Sequence, residues 1–349
     1  MLNIIQTIKP KTSTGYDNIS AKLLHICKDE LVAPLVNITN KSFCSGIFPT
    51  ALKLAKVYPK HKQGCTKQPS NYRPISLIPT FSKLIEKVVL VRLIDHLASN
   101  NLLTPHQHGF LAGKSTTTAL ISLVEFLADQ LEQGNTATAI LLDYSKAFDC
   151  LNHSQLLAKL TTLGVQGISQ AWIKSYLTER RQIVELNSIR NGKKSQVKSL
   201  PKNIQRGVPQ GSVLGPILFI LFTNDFPEYI HPYSDTLMFA DDTVLLLGSH
   251  DPDQLEVEAF VAVNMAVQYC HGNDLVVNEK KTKQLIFGRQ KETTTRLPDT
   301  EDINSSKCLG ITIDDCLSWT NHIDSLCKKL SSGLYVIRRM KNVSNLETA

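Results

Sequence analysis

Three acidic residues stand out by their surroundings. Asp143 closes a run of small and aliphatic residues, Ala137 to Leu142, and the pair Asp241-Asp242 interrupts another, LMFADDTVLLL. Such neighbours place the carboxylates where water is expected to be scarce, and an unpaired charge there costs several kcal/mol. Divalent cations offset that cost. Two ions roughly 4 Å apart between such carboxylates can activate a hydroxyl nucleophile and stabilise a leaving pyrophosphate. Oxygen-only ligands favour Mg2+, with Mn2+ an acceptable substitute. Adjacent strand residues point to opposite faces, so the central ligand role falls to Asp241 unless the turn bends both acids inward. The competing reading is a solvated hairpin turn.

The elements that must position these acids follow from periodicity. Ala137 to Leu142 reads as a strand, and Thr236 to Ala240 with Thr243 to Leu247 as two strands about Asp241-Asp242. A helix is expected from Ser154 to Leu163. Another opens at Asp251-Pro252 and runs to His271-Gly272, with cap, first-turn proline and terminal glycine in place. Strands at 275–278 and 283–287 follow. The order βα, ββ, αβ is that of a split βαβ sheet, which can bring Asp143 beside Asp241.

Further out, residues 19–44 read as helical, capped by Ser20 and kinked or split at Pro34. Helices are expected over 82–98 and 116–133, the second with Leu120, Leu123, Val124, Leu127 and Leu131 on one face and Gly134 beyond its end. Tyr58 to Ser70 reads as a mobile basic loop. Gln182 to Leu186 and Ser195 to Leu200 flank Asn191-Gly192 as a hairpin. Gly211 to Phe226 is apolar and either helical or buried; 308–313 reads as a strand and 320–341 as a helix.

The 349 residues allow roughly two compact units or one large enzyme with subdomains, and 42% hydrophobic with 20% charged residues excludes wholesale disorder, collagen and coiled coil. The net charge of +7 is unevenly spread. No carboxylate occurs from Leu31 to Ile85 or from Leu186 to Asn224, while both stretches carry Lys and Arg. Such blocks suit a polyanion by counterion release, or are solvated surface. Eight cysteines without a CxxC pair point to free thiols in a reducing compartment, and the spacing of Cys308, Cys316, His322 and Cys327 fits no zinc template. No apolar run approaches a membrane span or a secretory signal, so an intracellular protein is expected. Gly109 to Ser115 imitates a P-loop but has three residues between its glycines where four are required.

Taken in order, Lys11 to Ser20 (KTSTGYDNIS), Asn71 to Leu77 (NYRPISL), Gln107 to Thr116, Leu142 to Asp149 (LDYSKAFD), Gly207 to Ser212 (GVPQGS), Phe239 to Asp242 (FADD), Asn278 to Thr282 (NEKKT) and Leu309-Gly310 form a specific series. The chain resembles the reverse transcriptases of LINE-type (non-LTR) retrotransposons, jockey-like elements in particular, over nearly its whole length. The resemblance implies an α+β right-hand polymerase with fingers and a split-βαβ palm. Residues 1–40 would extend the fingers, 41–136 form the fingers, 137–313 the palm, and 314–349 the start of a truncated thumb.

It also implies residue roles. Asp143, Asp241 and Asp242 would hold two Mg2+ ions, with the Tyr144 carbonyl adding an oxygen. Phe148 would lie under the sugar of the incoming nucleotide, where a bulky ring excludes a 2′-hydroxyl. Gln210 and Gly211 would contact nucleotide and template, glycine permitting close backbone approach. Arg73, a planar fork, and Lys114, a point charge, would hold the triphosphate. Lys281, or Lys280 beside it, would protonate pyrophosphate. Asp149 would support local structure, and Leu111 stands where many relatives have arginine. The expected partners are an RNA template, a DNA primer and deoxynucleoside triphosphates, with no membrane and a nuclear place of action. The rivals are a relic that binds nucleic acid without extending a primer, and an RNA-directed RNA polymerase, which Phe148 disfavours.

Overall fold

The computed structural model describes residues 1–190, 193–278, 281–298 and 303–341. In chain order these form α1 (Leu2–Thr7), α2 (Ala21–Ile26), α3 (Lys28–Ser45), β1 (Leu54–His61), β2 (Tyr72–Leu77), α4 (Thr80–Ser99), α5 (Thr116–Glu132) and β3 (Thr136–Leu142). Next come α6 (Ala147–Cys150), α7 (His153–Thr162), α8 (Gly167–Leu177), β4 (Arg181–Arg190), β5 (Lys193–Lys198), β6 (Lys202–Asn203) and α9 (Gly215–Phe222). The remainder is α10 (Phe226–Ile230), β7 (Asp235–Phe239), β8 (Asp242–Ser249), α11 (Pro252–Gly272), β9 (Lys283–Phe287), β10 (Ser305–Cys308), β11 (Ile311–Asp314) and α12 (Thr320–Lys341). None of the described helices is long and apolar enough to cross a membrane.

The chain divides into two compact units. The first comprises Met1–Phe110, Ser145–Phe226 and Tyr269–Val276. Its sheet runs β2-β1-β4-β5, with β6 also on β4. The β1–β2 pair is antiparallel, His61 facing Tyr72, whereas β1 and β4 run parallel from Leu54 opposite Arg181. Helix α9 is apolar on every side and buried from Ile217 to Phe222, as a central core helix must be. Helices α3 and α8 meet through Trp172, which donates from Nε1 to Ser42 Oγ at 2.8 Å and sits edge-on to Phe43 and Phe48.

The second unit comprises Leu111–Tyr144, Pro227–Gln268 and Val277–Ala349. Its sheet order is β7-β8-β3-β9, all antiparallel, which is the expected split arrangement. The central strand β3 is buried along nearly its whole length. Helix α5 starts from a capping box between Ser115 and Thr118 and lays Ala119, Leu123 and Leu127 on Ala137, Ala139, Leu285 and Phe287. Burying each leucine side chain contributes about 1.5–3 kcal/mol. The hairpin β10–β11 adds Cys308 and Ile313 to the same core, and turns through Leu309 (φ 47°) and Gly310 (φ 100°), the positive angles a two-residue hairpin favours.

Several expectations are corrected. The break in the first long helix falls at Cys27, and α3 runs through Pro34, whose exposed position lets water reach the carbonyl left without its N–H partner. The basic segment from Tyr58 is strand to His61, because β2 offers a partner; Pro59 faces Pro74, a pair in which neither residue has an N–H to donate. Helix α8 forms over Gly167–Leu177, where the sequence pattern raises no helical expectation. Residues 275–278 make only a single bridge, Tyr144 to Val277, rather than a strand. The expected strand over 308–313 is a hairpin turning at 309–310. Strands β4 and β5 pair as anticipated, though the turn Asn191-Gly192 lies outside the described residues.

Candidate active site

The carboxylates are assembled by register. Leu142 pairs with Thr243, so one further step puts Asp143 across from Asp242. Phe239 pairs with Asp242 around the two-residue turn Ala240-Asp241. Buried Ala240 takes φ 58°, a left-handed conformation costing about 1–2 kcal/mol for a residue with a Cβ. All three acids thus belong to one sheet of the second unit. They are not, however, in a dry site. Asp241 and Asp242 are exposed and the Asp143 side chain is 45% exposed, because the acids occupy strand ends while their neighbours Leu142, Tyr144, Ala240 and Thr243 turn into the core.

Proximity is nonetheless felt. Surrounding protein atoms, and after them the Asp241 and Asp143 charges, push the Asp242 carboxyl above the usual carboxylate range even though its surface is open to water. The Cys308 thiol is pushed up to about 11 by burial and by Asp242. Lys281 Nζ lies 3.7 Å from Asp143 Oδ2, an ion pair with both ends solvated and worth less than about 1 kcal/mol. Three mutually repelling oxygen donors of this kind suit a divalent cation. Their oxygens do not all lie within 4.8 Å of one another; that spacing is met by Asp314, Asp315 and Cys316.

The latter cluster has other work. Asp314 accepts hydrogen bonds from Ser318 N (2.8 Å) and Trp319 N (3.1 Å), and Asp315 pairs with Lys291 at 2.8 Å. Burial pushes the Asp314 carboxyl up, but the bonds from Ser318, Cys316 and Trp319 outweigh it and hold it below its ordinary value. These acids shape the turn into α12.

In the first unit, Phe148 is half-buried on α6, its ring tilted over Phe219 with centroids 5.0 Å apart. Its carbonyl accepts from Val208 N at 2.8 Å, and Gly207 passes so close that a Cβ there would lie 2.6 Å from the same oxygen. Gln210 donates from Nε2 to Asp149 Oδ1 at 3.0 Å, and its carbonyl accepts from Ser76 N at 2.7 Å. Gly211 has φ 119°, with the Ser76 carbonyl 2.7 Å from where a Cβ would be. Burial pushes the Asp149 carboxyl up, opposed by the Gln210 hydrogen bond and Lys146. Arg73 is exposed on β2. In the second unit, Lys114 precedes α5, its N–H bonded to the Leu111 carbonyl at 3.3 Å, and buried Tyr144 follows Asp143. Lys280 lies outside the described residues.

Residues 58–313, well over half of the chain, match the family described as "Reverse transcriptase (RNA-dependent DNA polymerase)". The chain belongs to the reverse transcriptase family. It is 29% identical over 355 residues to the probable RNA-directed DNA polymerase from transposon BS of Drosophila melanogaster, covering 98% of this chain and 38% of that protein. It is also 29% identical over 348 residues to the RNA-directed DNA polymerase from mobile element jockey of Drosophila funebris, covering 93% of this chain and 36% of that one. The chain therefore spans a little over a third of the length of these relatives. The resemblance to jockey-like non-LTR elements holds. The fold is similar to apo telomerase from Candida tropicalis truncated from its C-terminal domain, with TM-score 0.52, 14% identity and coverage of 78% of this chain and 55% of that one.

Several residues that shape this member of the reverse transcriptase family do not stand out in the sequence. Ser76, in the motif NYRPISL, holds the backbone of Gln210 and Gly211. Glu86 accepts from Val213 N and Leu214 N just beyond them. A signal for Glu86 existed: it is a single acid within the apolar run from Leu84 to Val91, four residues after Ser82 and hence on the same helix face.

Proposed function

We propose that this reverse transcriptase segment catalyses RNA-templated addition of deoxynucleotides to a primer 3′-hydroxyl. The observation that carries the reading is the meeting of Asp143 with Asp241 and Asp242 at the ends of paired strands, close enough for the two neighbours to raise the Asp242 carboxyl. These carboxylates, with the Tyr144 carbonyl, would hold two Mg2+ ions, for which Mn2+ can substitute. When bound, such ions activate the attacking hydroxyl and stabilise the leaving pyrophosphate. The exposure of Asp241 and Asp242 and the half-exposed side chain of Asp143 leave room for the three to rotate toward a shared ion.

The chain's own groups do the rest. Arg73 and Lys114 would hold the triphosphate, the one by paired N–H donors and the other as a point charge. Gln210 and Gly211 would contact the nucleotide, and the Phe148 ring, backed by Phe219, would exclude a 2′-hydroxyl. Lys281 would move from Asp143 to donate a proton to pyrophosphate. Fingers over 41–136, palm over 137–313 and a thumb beginning at 314 follow from the same reading, as do an RNA template, a DNA primer and action in the nucleus.

Primer extension on an RNA template tests it. The chain should extend a DNA primer with deoxynucleotides in Mg2+, and Asp241→Asn should abolish extension while leaving template binding intact. Binding without extension by the unaltered chain, indifferent to Asp241→Asn, would instead identify a nucleic-acid-binding relic.

A further inference from the structure

We propose that Glu86 is a positioning residue that sets the loop Gly207–Ser212, and through it the affinity for the incoming deoxynucleotide. The inference rests on the reading of Gln210 and Gly211 as nucleotide contacts. Glu86 is fully buried on α4, and among the described residues it forms no ion pair. The half-buried Lys83 ammonium one turn earlier feels the Glu86 charge without making a close ion pair, so the carboxylate relies on hydrogen bonds, and an aliphatic side chain would pack there at less cost. Its use is visible in what it holds. Oε1 accepts from Ser82 Oγ at 2.7 Å, and Oε2 accepts from Val213 N at 2.8 Å and Leu214 N at 3.2 Å.

Those two N–H groups lie at the entrance of α9, where helices leave donors unpaired. Leu214, in the capping position, has no side-chain cap to offer, and Pro216 has no N–H. Glu86 therefore caps α9 from another helix, with its negative charge at the positive end of the helix dipole. The nucleotide loop ends immediately before this point. Ser212 N and Oγ both donate to the Pro209 carbonyl, at 2.9 and 2.8 Å, and Ser212 Oγ accepts from Gly215 N at 3.0 Å.

Within the loop, Ser76 N donates to the Gln210 carbonyl at 2.7 Å, while the far end is tied elsewhere, Gly207 N donating to the Leu151 carbonyl at 2.8 Å. Ser76 and Glu86 belong to one continuous stretch, β2 through α4, so a single stretch of chain holds Gln210 directly and the backbone just beyond the loop at Val213 and Leu214. Ser82, itself fully buried one turn before Glu86, orients the carboxylate. The hydroxyl of buried Tyr176 is pushed far above its ordinary value by burial and then by Glu86.

The test compares Glu86→Ala, Glu86→Gln and Ser82→Ala in the full chain. Glutamine can present its Oε1 to the two N–H groups and its amide to Ser82. Glu86→Ala should raise the KM for the deoxynucleotide about tenfold, with primer–template binding unchanged and kcat altered far less. Glu86→Gln should stay within about threefold of the parent, and Ser82→Ala should fall between the two. Amide exchange across 207–214 should accelerate about tenfold in Glu86→Ala and not in Glu86→Gln.

A folded Glu86→Ala with parental KM and exchange overturns the proposal, as does Glu86→Gln being as impaired as Glu86→Ala. Should Glu86→Ala fail to fold, Ser82→Ala decides: unchanged KM and unchanged exchange would refute the clamp. Gln210→Ala separates the two claims. If it leaves KM unaltered, or the parent extends no primer, the nucleotide reading of the loop fails, while the exchange data still judge the clamp.

Discussion

The turn Phe239–Asp242 and the loop Gly207–Ser212 are built on opposite principles. The turn places exposed, mutually repelling carboxylates at strand ends, and what holds it is the β7–β8–β3 register beneath, with a strained Ala240 at its bend. The loop is secured at Phe148, Ser76 and Asp149, with Glu86 holding the backbone just beyond it, and two of its glycines pass carbonyls too closely for any side chain. At the turn, Asp242 carries the cost of two neighbouring charges, whereas the backbone of the loop is fixed by hydrogen bonds. Chemistry and stability therefore respond to different substitutions.

The largest expected effect separates them most sharply. Asp143→Asn should lower primer extension by roughly a thousandfold, the several kcal/mol expected of a lost metal ligand, yet its urea midpoint should be no lower than the parent's because a repelling charge is gone. Loss of stability together with activity would mean that the acids have a structural role. Gly211→Ala should do the reverse, destabilising the fold by about 3 kcal/mol in chemical denaturation, since a Cβ meets the Ser76 carbonyl and φ is positive. Phe148→Val, in an actively extending preparation, should lower discrimination against ribonucleotides by about tenfold with little change in deoxynucleotide use. Unchanged rejection of ribonucleotides would remove Phe148 from the gate.

The smallest effect concerns pH. The folded Asp242 carboxyl is raised above its unfolded value, so stability is fully present below the unfolded value near 3.8 and is lost as pH rises through the higher folded value. Without divalent ions, Asp242→Asn should therefore be more stable than the parent at neutral pH, by less than about 1 kcal/mol given the solvent exposure. The difference should vanish below about pH 4, and Mg2+ should shrink it at pH 7 by binding the parent. A variant equally stable at both pH values would show that the three charges do not interact.

Much of this was legible in the chain itself. The stripe Leu120 to Leu131 marked α5, the run before Asp143 marked β3, and the FADD turn marked β7–β8, because each signal is local and periodic. The misreadings share a cause. Tyr58 to His61 looks like loop until β2 pairs with it, and 275–278 looks like strand although it forms one isolated bridge, at Val277, and no ladder. The acids looked dry because their sequence neighbours are greasy, but a strand end exposes what the adjacent residue buries.

Residue type and order by themselves determined the family, the carboxylate trio and the glycines of the loop, since these depend on chemistry that a side chain carries wherever it lies. Only the tertiary structure decided that Asp143 stands across from Asp242, that Gly211 lies against Ser76, and that Glu86 caps a helix entered 127 residues later. Those relations join distant segments through hydrogen bonds and register, and no window of sequence contains both partners.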